Sequence, residues 1–483
     1  MSNTQQVLRL AGADGFVAPA RRIEDLPGPS GLPLLGNSHQ LSQAGMHASL
    51  EQWARQYGPM FRFKFGSRSV VGISEPGLIN ELLRHRPKES SRSPRVTALI
   101  NELGPQGLFT AEGDAWRRQR KLVMRALTPE AVGRFFPIIT TVTQRLEARW
   151  RAAALAGRAI NASRDLKRYS IDVTTWLAMG VDVDTLTHDD NPLQEDVEFF
   201  FSTVGRRLPR LFPYWRYLKM PIDRRTDAVM ARLGATVAKL IADARANIAA
   251  NPEIRAKPRN ILEALIVARD EPGSEFTDDD VKGNVATMLF AGEDTTANAM
   301  AWLLYHLSIH PEAAERVTGE ADAVLGGHPI PTLFGSLEKL EYIEAAAVES
   351  MRLKPIAPFQ GQLAKVPMDL AGLRVDAGQL LFLMYRIVGT DEKHFSEPMR
   401  YLPERWLENG GERADDTRRK VFPFGGGPRY CPGRYLAMVE LKMVTSMACH
   451  NFALALDVDA SEIGEHFSFT LGPEILPIRL SVR

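Results

Sequence analysis

Between Thr277 and Pro311 the chain runs through more than thirty residues without a proline. Val281, Val285, Met288, Leu289 and Leu303 recur along it at helical spacing. Thr277 with Asp280 has the form of a capping box at its start, and Pro311 stops it. About 32 helical residues span on the order of 48 Å, enough to cross a whole domain. The stretch is apolar around most of its circumference, which predicts a buried axis rather than a surface helix. A chain with such an axis has to wrap its remaining elements around it.

Those elements are mostly helical. Trp116 to Leu127, Ile138 to Ala154, Val229 to Ala250 and Asn260 to Asp270 carry apolar residues three and four apart. Two further helices are expected after Pro311. Phe61, Phe63 and Phe65 alternate with Arg62 and Lys64 and lead into Val70–Val71, the period of a half-buried hairpin, and Gln379 to Tyr385 is strand-like. The polar run Glu412 to Lys420 reads as a solvated loop. The expected fold class is therefore mainly α with small β-sheets. A length of 483 residues would allow about three domains at roughly 150 residues each. No linker or repeat divides it, so residues 26–483 are expected to form one domain behind an N-terminal extension, residues 1–25.

The 59 basic and 58 acidic side chains nearly cancel, which argues against a nucleic-acid partner. No apolar run is long enough to span a bilayer, and the first 22 residues lack the pattern of a secretory signal. Together with two cysteines, Cys431 and Cys449, this predicts a soluble, cytoplasmic protein without a transmembrane anchor or disulfide framework. Gly31 to Ser38 superficially resembles a phosphate loop, but Asn37 stands where the lysine belongs, and a proline-rich turn is expected. His306 and His310 have helical zinc-site spacing, yet Leu307 replaces the acid beside the first; both are expected to be structural. Arg206 to Arg225 carries seven basic residues against one acid, interleaved with Leu211, Phe212, Tyr214 and Trp215. Such a mixture suits a membrane surface or single-stranded nucleic acid.

Chemistry concentrates in Phe422–Gly433, where Gly425, Gly426 and Gly427 precede Arg429 and Cys431 and a helical pattern follows. Glycines let the backbone fold tightly against a bulky flat ligand. A thiolate near a helix N-terminus is stabilised by the dipole and nearby amides, which predicts a lowered thiol pKa. A buried structural cysteine in a glycine turn would use the same residues. In the middle of the long helix, Ala291-Gly292-Glu293-Asp294-Thr295-Thr296 places residues poorly suited to a buried helix where the pattern is otherwise strong. Hydroxyls and glycine there are expected to open the helical ladder. Glu349 and Arg352, three apart on an apolar helix, are placed to pair. Trp116 and Arg120 share a helix face.

Phe424, Gly427, Arg429, Cys431 and Gly433 match the haem-binding loop of the cytochrome P450 family, and the resemblance runs from Pro27 to Ile478. It implies a heme b held by Cys431 as the metal ligand, between the long helix and the cysteine loop. Trp116, Arg120 and Arg429 would bind haem propionates. Asp294 and Thr295 resemble the family's acid–alcohol pair, which guides protons to iron-bound O2. Arg405 would join Glu349 and Arg352 in a structural triad. Thr287 and Ala291, on the Thr295 stripe, with Phe290, Phe359 and Leu471 by family position, would line an apolar substrate pocket. The segment after Arg206 would form the lid, with a weak peripheral membrane contact or a nucleic-acid role as the competing readings and the former favoured.

The implied activity is a monooxygenase that hydroxylates, epoxidises or dealkylates an apolar small molecule. Only about fifty residues follow Cys431, so electrons are expected from a separate ferredoxin, flavodoxin or reductase. Arg117, Lys121 and Arg125 are candidates to dock an acidic donor. Peroxide-driven or O2-independent relatives on the same fold (peroxygenase, dehydratase, isomerase) and a haem-binding sensor are the alternatives. Two departures stand out. Gln362 falls where relatives usually have a propionate-binding arginine or histidine, and Pro432 after the cysteine lacks an N–H.

Overall fold

The computed structural model describes residues 9–10, 21–41, 45–104, 106–188, 191–407 and 417–483. Most of the expected N-terminal extension and the first part of the 412–420 loop lie outside the described residues.

The axis is one continuous helix, Asp278–Ile309, of 32 residues. Thr277 caps it: its hydroxyl accepts from the Asp280 N–H, while the Asp280 carboxylate accepts from the Thr277 N–H at 2.9 Å. Around this central helix pack Ala162–Met179, Glu341–Leu353, Ile261–Asp270 and Arg434–Asn451. Met300, Trp302, Leu303 and Leu307 of the axis meet Trp150, Tyr169, Ile343 and Val444 in the largest apolar core. The expected helices form at Gly113–Ala126, Phe136–Leu155, Pro221–Ala250 and Ile261–Asp270, the last capped by the Asn260 side chain.

The aromatic alternation gives strands Met60–Phe65 and Arg68–Ile73, with Phe61 and Phe63 buried. Arg68–Ile73 pairs in parallel with Leu380–Met384, and that strand pairs antiparallel with Phe359–Ala364. Ser90–Arg92 completes the five-stranded sheet at the far edge. Two small antiparallel pieces matter for the site: the hairpin of Glu465–Phe467 with Leu471–Pro473, and Phe452–Leu456 with Pro477–Val482.

The phosphate-loop lookalike is a turn organised by Asn37. This side chain is 1 % exposed, donates to the Ser30 carbonyl at 3.0 Å and accepts from the Lys64 N–H at 2.8 Å. His306 stacks on Tyr401 with ring centroids 4.6 Å apart, and His310 packs tilted against the same ring at 4.9 Å. No cluster of three or more metal-ligating side chains occurs among the described residues.

Gly292 has a packing role that the sequence does not announce. A Cβ there would lie 2.3 Å from Thr174 Oγ1, so glycine allows the central helix and Ala162–Met179 to cross closely. The expected opening of the helical ladder is absent. The Thr295 hydroxyl donates back to the Ala291 carbonyl at 2.7 Å, using the oxygen's second lone pair, and the α-helix continues unbroken.

Candidate active site

Cys431 is placed by a tight loop in front of Arg434–Asn451, whose N-cap is Gly433. The Cys431 N–H donates to the Phe424 carbonyl at 2.9 Å, closing the loop on itself. Gly427 has φ +63°, and a Cβ there would sit 1.9 Å from the Leu83 carbonyl oxygen. No side chain fits at that position. At Gly433 a Cβ would come 3.9 Å from the Cys431 sulfur. The thiol differs from expectation. Burial raises its pKa, outweighing the amides of Gly433 and Arg434 and the charge of Arg120. The helix start and its amides are present, but the apolar surroundings are the larger effect. Cys449 is a buried core residue whose thiol burial pushes up to about 12.

The sulfur faces a cavity of about 1090 Å³. Thr287, Ala291 and Thr295, one four-residue stripe of the central helix, line the same cavity. Ala291 is exposed in the middle of this otherwise buried helix because the cavity runs past it. Phe359 and Phe424 also line the space. Phe290 and Leu471 do not. The Phe290 ring stacks on Phe200 at 3.9 Å, turned into the apolar cluster between helices, and Leu471 is fully buried, its carbonyl accepting from Trp302 Nε1.

Trp116, Arg120 and Arg429 meet at one edge of the cavity. The Arg429 guanidinium lies 4.6 Å from the Trp116 ring centroid and donates to Glu112 Oε2 at 2.7 Å; burial lowers its pKa to about 10. Arg86 and Arg92, which sequence reasoning missed, line the same edge. Their signal lies in the register: Arg92 stands directly across the antiparallel ladder from Gln362. Gln362 is fully buried, accepts from the Ser90 hydroxyl at 2.8 Å and stands outside the cavity lining. Its strand neighbour supplies the cation instead. Burial, then the charges of Arg86 and Arg429, pull Arg92 well below its ordinary pKa.

Whether a haem fits can be tested on these groups. Arg86 Nε and Nη2, Arg92 Nε, Arg120 Nη2 and Arg429 Nε are buried with no hydrogen-bond partner among the described residues. A guanidinium keeps its proton at neutral pH, so such a cluster calls for anionic partners. A flat group with two carboxylates at one edge and a metal at its centre meets both the cations and the thiol. The residues fit it.

Behind the central helix, Asp294 is buried with Oδ1 3.7 Å from Lys167 Nζ, and Oδ2 accepts from the Thr470 hydroxyl. Lys167 would lose charge on burial, but Asp294, Glu293 and Glu198 hold its pKa above the ordinary value. Glu293 is fully buried without a hydrogen-bond partner among the described residues, and burial holds it protonated well above the carboxylate range. Asp294 does not itself line the main cavity; Thr295 does.

The triad residues come together in one buried cluster. Arg352 donates to both oxygens of Glu349, at 2.8 and 2.7 Å, and Arg405 Nε to Glu349 Oε1 at 3.3 Å. Trp406 Nε1 and the Leu402 N–H complete the carboxylate's partners, and Arg352 also donates to the carbonyls of Gly389, Pro398 and Arg400. Every desolvated charge is thus hydrogen-bonded, the condition under which a buried pair persists.

The basic run after Arg206 is less free than its composition suggests. Arg207 pairs with Asp223, Arg216 with Glu102 and Lys219 with Asp227. Gly205, Leu208, Pro209 and Leu211 roof the cavity, while Phe212, Tyr217 and Leu218 are exposed beside it.

Comparison with known proteins agrees with this geometry. The cytochrome P450 family profile matches residues 26–476. The chain is 28 % identical to carotene epsilon-monooxygenase, chloroplastic, of Arabidopsis thaliana over 434 residues, covering 85 % of this chain and 78 % of the relative. It is 27 % identical to the human mitochondrial 25-hydroxyvitamin D-1 alpha hydroxylase over 478 residues, covering 94 % and 91 %. The crystal structure of the haem domain of a cytochrome P450DA mutant superposes with a TM-score of 0.82 at 23 % identity, covering 95 % and 98 %, a likeness of fold. With one thiol and a stripe of the long helix lining a cavity edged by guanidinium groups that keep unpartnered nitrogens among the described residues, and a family match along nearly the whole chain, this protein belongs to the cytochrome P450 family of haem-thiolate oxidoreductases.

Proposed function

We propose that the protein is a monooxygenase inserting one oxygen atom of O2 into an apolar small molecule, by hydroxylation, epoxidation or dealkylation, with heme b as cofactor. The observation that carries this reading is the single cavity shared by Cys431 and the Thr287–Ala291–Thr295 stripe.

Bound there, the haem supplies the activation of O2 and the transfer of one oxygen atom. The chain does the rest. Cys431 provides the thiolate, shaped by Phe424, Gly427 and Gly433. Trp116, Arg120, Arg429, Arg86 and Arg92 would hold the haem carboxylates. Thr287, Ala291 and Phe359 present apolar and small surface to the substrate and exclude water from it. Each oxygen atom inserted requires two electrons and two protons, the second oxygen leaving as water. Thr295, the polar group of the stripe nearest Asp294 in sequence, passes protons into the cavity, and Asp294 supplies them from the polar side of the helix.

Electrons come from a separate donor. Arg117, Lys121 and Arg125 are exposed on the helix whose inner face carries Trp116 and Arg120, which suits an acidic partner. No helix among the described residues is long and apolar enough to cross a membrane. A soluble, cytoplasmic enzyme with a weak membrane contact through Phe212, Tyr217 and Leu218 fits this surface.

The test is Thr295→Ala. Electron consumption should continue while product per electron falls by about tenfold or more, a part of the roughly hundredfold or larger rate effect of a positioned proton donor. Coupling retained at the wild-type ratio would contradict the relay.

A further inference from the structure

The hairpin of Glu465–Phe467 with Leu471–Pro473 touches both sides of the central helix. Its base is pinned: the Glu465 carboxylate meets His47 at 2.8 Å, Arg386 at 2.7 Å and the Lys354 ammonium. Its tip, residues 467–470, forms part of the wall of the substrate cavity. There the Phe469 ring contacts the rings of Phe109 and Phe201, 5.8 and 6.2 Å away, contacts that an incoming apolar compound can replace.

Behind the helix lies a second, polar cavity of about 600 Å³ that reaches Asp294. Lys167, Glu198, His466 and Glu474 are among its walls. Thr470 belongs to both cavities. Its hydroxyl donates to Asp294 Oδ2 and accepts from Asn298 Nδ2 at 3.1 Å. Lys167, shared with Glu198 at 3.7 Å, faces the other Asp294 oxygen. Buried Glu293 is the remaining charged or titratable neighbour on the helix itself. With both oxygens engaged, Asp294 is held away from the cavity into which Thr295 opens.

We propose that Thr470 is a positioning residue that locks Asp294 while the substrate cavity is empty, and that displacement of the 467–470 tip by a bound apolar compound releases the carboxylate to supply Thr295. The inference rests on the reading of Asp294 as proton donor. The tip and the carboxylate then form one two-state element, and a substrate shifts it only by the contacts it makes with the displaced tip. Coupling of this kind is reciprocal: loosening Asp294 must loosen the tip.

Neither a known substrate nor the natural electron donor is needed for the test. The haem-loaded protein is reduced with dithionite, mixed with oxygenated buffer, and its return to the oxidised spectrum is timed from pH 6 to 8. Thr470→Val should speed reoxidation about threefold or more, with a steeper dependence on acid, while Thr470→Ser restores the wild-type rate. Adding Asp294→Asn to Thr470→Val should remove the gain. Hydrogen exchange of the oxidised protein should show faster exchange at residues 467–470 in both Thr470→Val and Asp294→Ala. An unchanged rate or unchanged tip exchange in Thr470→Val, with a rate that does respond to Asp294→Asn, overturns the lock and leaves Asp294 as donor. A rate indifferent to Asp294→Asn overturns the donor reading, and the lock with it.

Discussion

At the scale of single residues, the site is a set of groups that the protein leaves unfinished. Arg86, Arg92, Arg120 and Arg429 each keep a buried nitrogen without a hydrogen-bond partner among the described residues. Hydrogen bonds to charged groups contribute about 1.5–3 kcal/mol each. Arg92→Gln should therefore loosen the hold on haem and accelerate its transfer to an acceptor apoprotein by roughly tenfold or more. A wild-type transfer rate would mean that Arg92 faces the cavity without touching the group. The spacing of Arg429 and Cys431 in the glycine-rich loop was readable because it is local, whereas the contact of Trp116 with Arg429 joins distant segments. Arg92 was not legible, since only the strand register sets it opposite Gln362. Phe290 and Leu471 show the converse error. Position along the chain suggested a pocket, but side-chain direction turned one into a helix interface and the other into the core.

At the scale of elements, the long helix was legible from its period and caps, to within a residue at each end. Its interior was not. Gly292 is explained by a helix crossing at Thr174, a contact between distant segments that no periodicity encodes. The Glu465 hairpin was likewise invisible, because its stability comes from His47, Lys354 and Arg386, far away in sequence. Burial would raise the Glu465 pKa, but hydrogen bonds from His47 and Arg386 and the surrounding positive charge hold it well below the usual carboxylate value. A depressed folded-state pKa adds stability that is complete above the unfolded value and is lost as pH falls through the folded one. Glu465→Gln should then cost about 2 kcal/mol at pH 7. In denaturant melts that cost should be constant down to about pH 5 and shrink below about 4.5. A penalty unchanged at pH 3 would show that packing rather than charge anchors the hairpin.

At the scale of the whole molecule, the near-zero net charge conceals a buried network that ties the helix Glu341–Leu353 to the segment from Gly389 to Trp406. Glu349 receives donors from Arg352, Arg405, Trp406 and the Leu402 amide. Removing one partner of such a pair leaves uncompensated buried charge, so Glu349→Ala should lower stability by about 3–5 kcal/mol and lose haem with it. A small loss, under about 1 kcal/mol in denaturant titration, would place the triad among ordinary surface pairs.

The proposed chemistry turns on Cys431 as the ligand to iron. The carbon monoxide difference spectrum of the reduced protein tests this directly. Thiolate ligation predicts the strongly red-shifted Soret band in the wild-type protein and its loss in Cys431→Ala. A wild-type band at the position given by a neutral nitrogen ligand, or a red-shifted band that survives Cys431→Ala, would contradict it.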